Sequence, residues 1–205
     1  MQPGSILVGA GPNNGHLNPV ANPDLSYSSQ LNSLEINGRH RTSEWVTLIA
    51  GFRWIEMDET YDWIEKDGMH DVGRVETDND LYGFQVGSEV DIWSYCRFDV
   101  EGYTKVGIYA NESNLTYKAD VGGPGPDINR TAEGNRTSFV GESALTGTFN
   151  FKENLSLRMG YQGTFLNGIA AATDQMSTTD NNASAVNDEG SATYHGPFIR
   201  LTFQR

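Results

Sequence analysis

The side chains of this chain with the most chemical potential are its carboxylates, and several come in pairs. Asp58 and Glu59 are adjacent, while Glu89 and Asp91, like Asp99 and Glu101, are two positions apart. In an extended strand a spacing of two puts both groups on one face. Two carboxylates flanking a glycosidic bond can act as acid and as base or nucleophile, the chemistry of a glycosidase. Glu89, Asp91, Asp99 and Glu101 are expected to crowd at one rim, across a tight turn. Against catalysis stands their abundance: the chain carries 27 acidic residues, and solvated or Arg/Lys-paired acids need no further role. The histidines, His16, His40, His70 and His195, show no H-E-x-x-H or other ligand spacing and read as surface groups. No G-x-S-x-G nucleophile motif occurs. The stretch from Asp58 to Asp80 is acidic but lacks EF-hand spacing. The glycine run from Gly9 to Gly15 lacks a third phosphate-loop glycine and is interrupted by Pro12. Cys96 is the one cysteine, so a disulfide within the chain is impossible and a thiolate metal site is not expected. The residues therefore predict no enzyme and no cofactor.

The elements that would position these groups are strands. From Leu81 to Ala110 the side chains alternate: Tyr82, Phe84, Val86, Val90 and Ile92 share one face, and Gln85, Glu89 and Asp91 the other. After a break at Ser94–Cys96, Phe98, Val100, Val106 and Ile108 oppose Asp99, Glu101, Tyr103, Lys105 and Tyr109. Strict alternation means strand, and two such runs across a tight turn make a hairpin. The same pattern recurs in Leu31–Arg41, Trp45–Asp58, Thr137–Phe151, Leu155–Phe165 and Thr193–Phe203, with Ile49 and Ile55 interrupting the polar face of the second. Ser5–Ala10 is a short apolar run that could supply a further strand. No helix-period segment of useful length appears.

Connection lengths alternate. Turns of about three residues are expected at 42–44, 94–96 and 152–154, with long loops at 11–30, 59–80, 111–135 and 168–190. Short turns at one rim and long loops at the other, on an even number of strands, is the habit of outer-membrane barrels. The expectation is one domain over 1–205: an antiparallel up-and-down β-barrel of about eight strands, of outer-membrane type. Its apolar faces would meet lipid, with Trp45, Trp54, Tyr82 and Trp93 near the strand ends, where aromatic girdles sit. Its lumen would be lined by Glu35, Arg39, Arg53, Gln85, Glu89, Asp91, Asp99, Glu101, Lys105, Glu142, Arg158 and Arg200, pairing across the interior. An eight-stranded barrel is about filled by its own side chains. The alternative is a soluble, lipocalin-like barrel binding an apolar small ligand. It places Phe52, Phe84, Val86 and Leu157 inside and leaves Glu89 and Arg158 in water.

Bulk properties narrow the partners. A net charge of -13 and a pI near 4.6 leave no basic patch for nucleic acid. A mean hydropathy of -0.50 excludes a helical membrane protein but not a barrel, half of whose strand residues are polar. The first residues lack a basic n-region and Ser5–Ala10 is too short for a signal h-region, so an outer-membrane location implies a mature form or a fragment.

SQLNSLEINGRHR, LIAGFRWIEMDE, LYGFQVGSEVDIW and the closing YHGPFIRLTFQR together resemble the beta-barrel porin family typical of planctomycetes, over most of the chain from about Tyr27. HGPFIRLTF is also similar to the carboxy-terminal signal of outer-membrane barrels, although Gln204 and Arg205 follow its last Phe. The resemblance implies a bilayer as partner, insertion by the outer-membrane machinery through the last strand, and small solutes as cargo if the lumen is open.

Overall fold

The computed structural model describes residues 24–64, 72–120, 127–152, 154–175 and 185–203. Seven strands follow in order: β1 (Asp24–Arg41), β2 (Val46–Ile64), β3 (Val72–Tyr95), β4 (Phe98–Asp120), β5 (Ile128–Lys152), β6 (Leu155–Ile169) and β7 (Gly190–Phe203). Each pairs antiparallel with the next in a single sheet. The all-β antiparallel meander expected from alternation is the fold observed. The sheet is strongly curled: six ladders of about 4.8 Å separate β1 from β7 on the flat, yet the hydroxyls of Ser29 and Tyr194 share a hydrogen bond. No ladder joins β1 to β7 among the described residues, so this is an open, curled half-barrel of seven strands. The expected first strand, Ser5–Ala10, lies outside the described residues.

Short turns fall close to their expected places. The β3–β4 turn is only Cys96–Arg97, and Cys96 takes a φ of 55°. Two-residue hairpin turns select positive φ because their twist matches that of the strands. The long connections need correction. Most of 59–80 and 111–135 is strand, since β2 continues to Ile64, β3 begins at Val72, β4 continues to Asp120 and β5 begins at Ile128. Part of 11–30 is also strand, because β1 begins at Asp24. The cause is patterning: alternation persists, but the outward partner changes from apolar to acidic. In β3, Val75, Thr77 and Asn79 are buried on the concave side, while Glu76, Asp78 and Asp80 take the convex side.

Register makes that change sharp. Ile36, Phe52, Phe84, Ile108 and Phe139 form one lateral row across five strands. The next row is Leu34, Trp54, Tyr82 and Ala110, and the one beyond it is Asn32, Glu56, Asp80 and Glu112. These are convex-face positions, where Ile36 is 74% and Phe84 72% exposed. At the boundary the Trp54 indole Nε1 donates to Asp80 Oδ1 at 3.1 Å.

The concave side is not purely ionic, as the sequence reading has it. Ile55, Met57, Leu81, Tyr109, Val140, Leu166 and Ile169 form an apolar layer there, so Ile55 is a fully buried member of it rather than an interruption. A Cβ on Gly83 or Gly107 would stand 2.6 Å from the Tyr109 ring, so the ring lies directly on their backbone. The 168–190 connection also differs from a solvated loop. Gly168 turns at a φ of 82°, and Ile169–Ala172 fold back into the concave side, fully or nearly buried. Asn79 grips Ala170 twice, donating to its carbonyl at 2.9 Å and accepting from its N–H at 2.8 Å. Asn111 donates to the Gly168 carbonyl at 3.2 Å, and Glu59 accepts from the Ala172 N–H at 2.9 Å.

Candidate functional site

Strand parity puts every second residue on the concave side, and register sets which strands' charges face each other. Below the apolar layer, six inward side chains from five strands converge: Glu35 of β1, Arg53 of β2, Gln85 of β3, Tyr103 and Lys105 of β4 and Glu142 of β5. Lys105 Nζ lies 2.9 Å from Glu35 and 3.1 Å from Glu142. Arg53 donates to Glu142 at 2.5 Å and to Ser33 at 3.2 Å. The Tyr103 hydroxyl donates to Glu142 at 2.6 Å, and the Gln85 amide donates to Glu35 and Asn37, each at 2.8 Å. Arg53 and Lys105 are only 6% and 8% exposed. Withdrawing such cations from water costs several kcal/mol, roughly, and only paired, hydrogen-bonded geometry offsets it. Arg53 Nε is buried with no partner.

A second tier lies toward the short turns. Arg39 pairs with Glu89, Arg158 with Glu101 at 2.8 Å, and Arg41 with Asp91 at 3.6 Å. Asp99 accepts from Ser94 and from Asn150, the latter at 2.8 Å. Of the four carboxylates expected to crowd at the short-turn rim, Asp91, Asp99 and Glu101 line one hollow there, and Glu89 lies apart with Arg39. Asp91 and Glu101 are register partners, yet each bonds a different arginine. Asp91, Asp99 and Glu101 border this hollow beside Arg41 and Trp45.

Between the tiers lies a cavity of about 420 Å³. Glu35, Arg39, Glu89, Lys105, Glu142, Arg158 and Arg200 border it, as do Asn37, Tyr103, Thr146 and Gln162. Arg53 borders an adjoining space that opens toward the gap between β1 and β7, and Gln85 is buried behind the cluster. Tyr103, Thr146 and Gln162 were legible as polar-face residues, but a search keyed on charge passes over them. Glu59, Asn79 and Asn111, which hold the inserted segment, fall where the sequence reads as loop.

Chemically the arrangement offers donors and acceptors of both signs to the cavity. Among the described residues no three His, Cys, Asp or Glu side chains converge as metal ligands. Above the band, in the acid-covered upper strands, Asp58 and Asp78 face each other across β2 and β3. Burial, then Glu56, Asp78 and Asp80, raise the Asp58 carboxyl above the usual range. Burial, then Glu76, Asp80 and Glu56, do the same to Asp78.

No family model matches this chain, and no curated protein matches it.

Proposed function

We propose that this chain is an outer-membrane β-barrel protein, structural or porin-like, with lipid against its convex face and a mixed-charge lumen on its concave face. The observation that carries this reading is the abrupt passage along the convex face from the Trp54–Tyr82 row to the Glu56–Asp80 row. Tyr82–Ile92 and Phe98–Ile108 each span 11 residues, against the roughly 9–11 that a tilted strand needs to cross a bilayer. Exposed apolar surface beyond a few hundred Å² marks an interaction site on a water-soluble protein. Here it is a belt, with Trp45, Trp93 and Tyr95 exposed at its short-turn edge. Acidic upper strands suit the extracellular side.

Seven strands leave β1 and β7 running in the same direction. An eighth strand between them would be antiparallel to both and close the barrel, and Ser5–Ala10 is the stretch with the composition for it. The alternating end of β7, with Ile199, Leu201 and Phe203 facing outward, suits recognition by outer-membrane insertion machinery. The resemblance to planctomycete porins points the same way. The lipocalin-like alternative needs Phe52, Phe84 and Val86 inside, and their convex, exposed positions favour the bilayer.

Refolding with and without detergent micelles tests the reading. Sheet-type circular dichroism and protease resistance are expected only with micelles. A folded, water-soluble monomer obtained without them would refute it.

A further inference from the structure

We infer that the concave cavity binds a small tetrahedral oxyanion, phosphate or a phosphate monoester, between Arg158 and Arg200. These two residues are direct register partners on β6 and β7, and both border the cavity. Like charges directly opposite on adjacent strands destabilise a sheet. Stability alone thus disfavours the pair, and a bound anion would compensate it.

Charge accounting singles out Arg200. Arg39, Arg53, Lys105 and Arg158 each have a carboxylate: Glu89, Glu142, Glu35 and Glu101 respectively. Arg200 has no ion pair or side-chain hydrogen bond among the described residues. In a chain of net charge -13, the interior wall here carries one cation more than its paired acids. A second, independent observation lies on the neighbouring strand, β5, where Thr146 pairs with Gly160 two residues from Arg158. Thr146 is 1% exposed, borders the same space, and its Oγ1 has no partner. An acceptor entering the cavity offers this hydroxyl the partner that the protein does not supply.

The donors dictate the shape of the ligand. Two guanidiniums approach from β6 and β7, and the Thr146 hydroxyl approaches from β5. One arginine fork satisfies a planar carboxylate, whereas donors from three adjacent strands, β5, β6 and β7, match more than two oxygens of one ion. A volume of about 420 Å³ accommodates the ion together with a short ester substituent.

The inference rests on the concave face being the aqueous interior proposed above. Its test is made on protein already folded in micelles, so failure to bind anion and failure to require detergent are separate results. Inorganic phosphate and glycerol phosphate are titrated calorimetrically at low ionic strength, with circular dichroism reporting the fold. One saturable site is expected. Arg200→Gln should weaken it about tenfold or more, the loss of one charged hydrogen bond. Thr146→Val should weaken it less. Arg136→Gln should leave it unchanged, because Arg136 pairs with Asp188 and Glu189 away from the cavity. Equal affinity for both probes would identify the free ion's geometry as sufficient, and tighter binding of the ester would assign its substituent to the cavity. Arg200→Lys, which keeps the charge without the fork, should bind more weakly than the native chain and serves if Arg200→Gln does not fold. No saturable binding to folded protein, or undiminished binding by either Arg200 variant, would overturn the assignment.

Discussion

Glu142 is the acceptor on which the concave network depends, since Tyr103, Arg53 and Lys105 all bond to it. Glu142→Gln should destabilise by about 3–5 kcal/mol, because it strands a buried cation. Glu101→Gln should cost under about 1 kcal/mol, because its pair with Arg158 is partly solvated. Denaturant midpoints of the two variants in micelles compare them directly. Asp58 gives a pH prediction of opposite sense to the usual carboxylate. Its folded pKa is raised, so between the unfolded and folded values the folded state binds more protons, and stability falls as pH rises through that window. Asp58→Asn should therefore raise the melting temperature at neutral pH and give no gain well below the carboxylate range. At this scale alternation revealed which side a charge takes, but not its partner. The register shift between Asp91 and Trp93 is invisible in the alternation, and beyond it Ser94 and Asp99 meet at the rim rather than in the cluster.

For strands, the readable portion was the portion with contrast. Between Tyr82 and Ile92 an apolar side chain faces a polar one at nearly every step, and the strand is unmistakable. Between Val72 and Asp80, Thr77 and Asn79 point inward while Glu76, Asp78 and Asp80 point outward. Polar groups on both faces look like loop to any test based on hydrophobic periodicity. What makes this stretch strand is the ladder to β2 and β4 together with Val75 packed against Leu115 and Ala172. The convex rows give a discriminating substitution. Val86 is 59% exposed in the middle of the apolar band. Val86→Arg should be nearly neutral in water, but should cost about 2–4 kcal/mol if the band lies at the bilayer midplane. Asp78→Arg, in the acidic upper strands, should show no such penalty. Folding yield into vesicles measures both.

At the scale of the whole molecule the inserted segment limits how open the interior can be. Asn79 alone supplies both partners of Ala170, so Asn79→Ala should release Ile169–Ala172. Amide hydrogen exchange there should then accelerate while the sheet's protection is retained. The fold class was legible because a meander needs nothing beyond local alternation and turns. The insertion was not, because its anchors, Glu59, Asn79 and Asn111, lie far from it in sequence and belong to different strands. Strand parity has one more consequence. Asp24 pairs with Ile64 at the acidic end of the sheet, whereas Phe203 pairs with Leu155 at the short-turn end, the rim that also presents the exposed Cys96. The two ends of the curled wall thus have opposite sidedness. In sealed vesicles a membrane-impermeant maleimide should label Cys96 and a cysteine at 203 together, and a cysteine at 24 only from the other compartment.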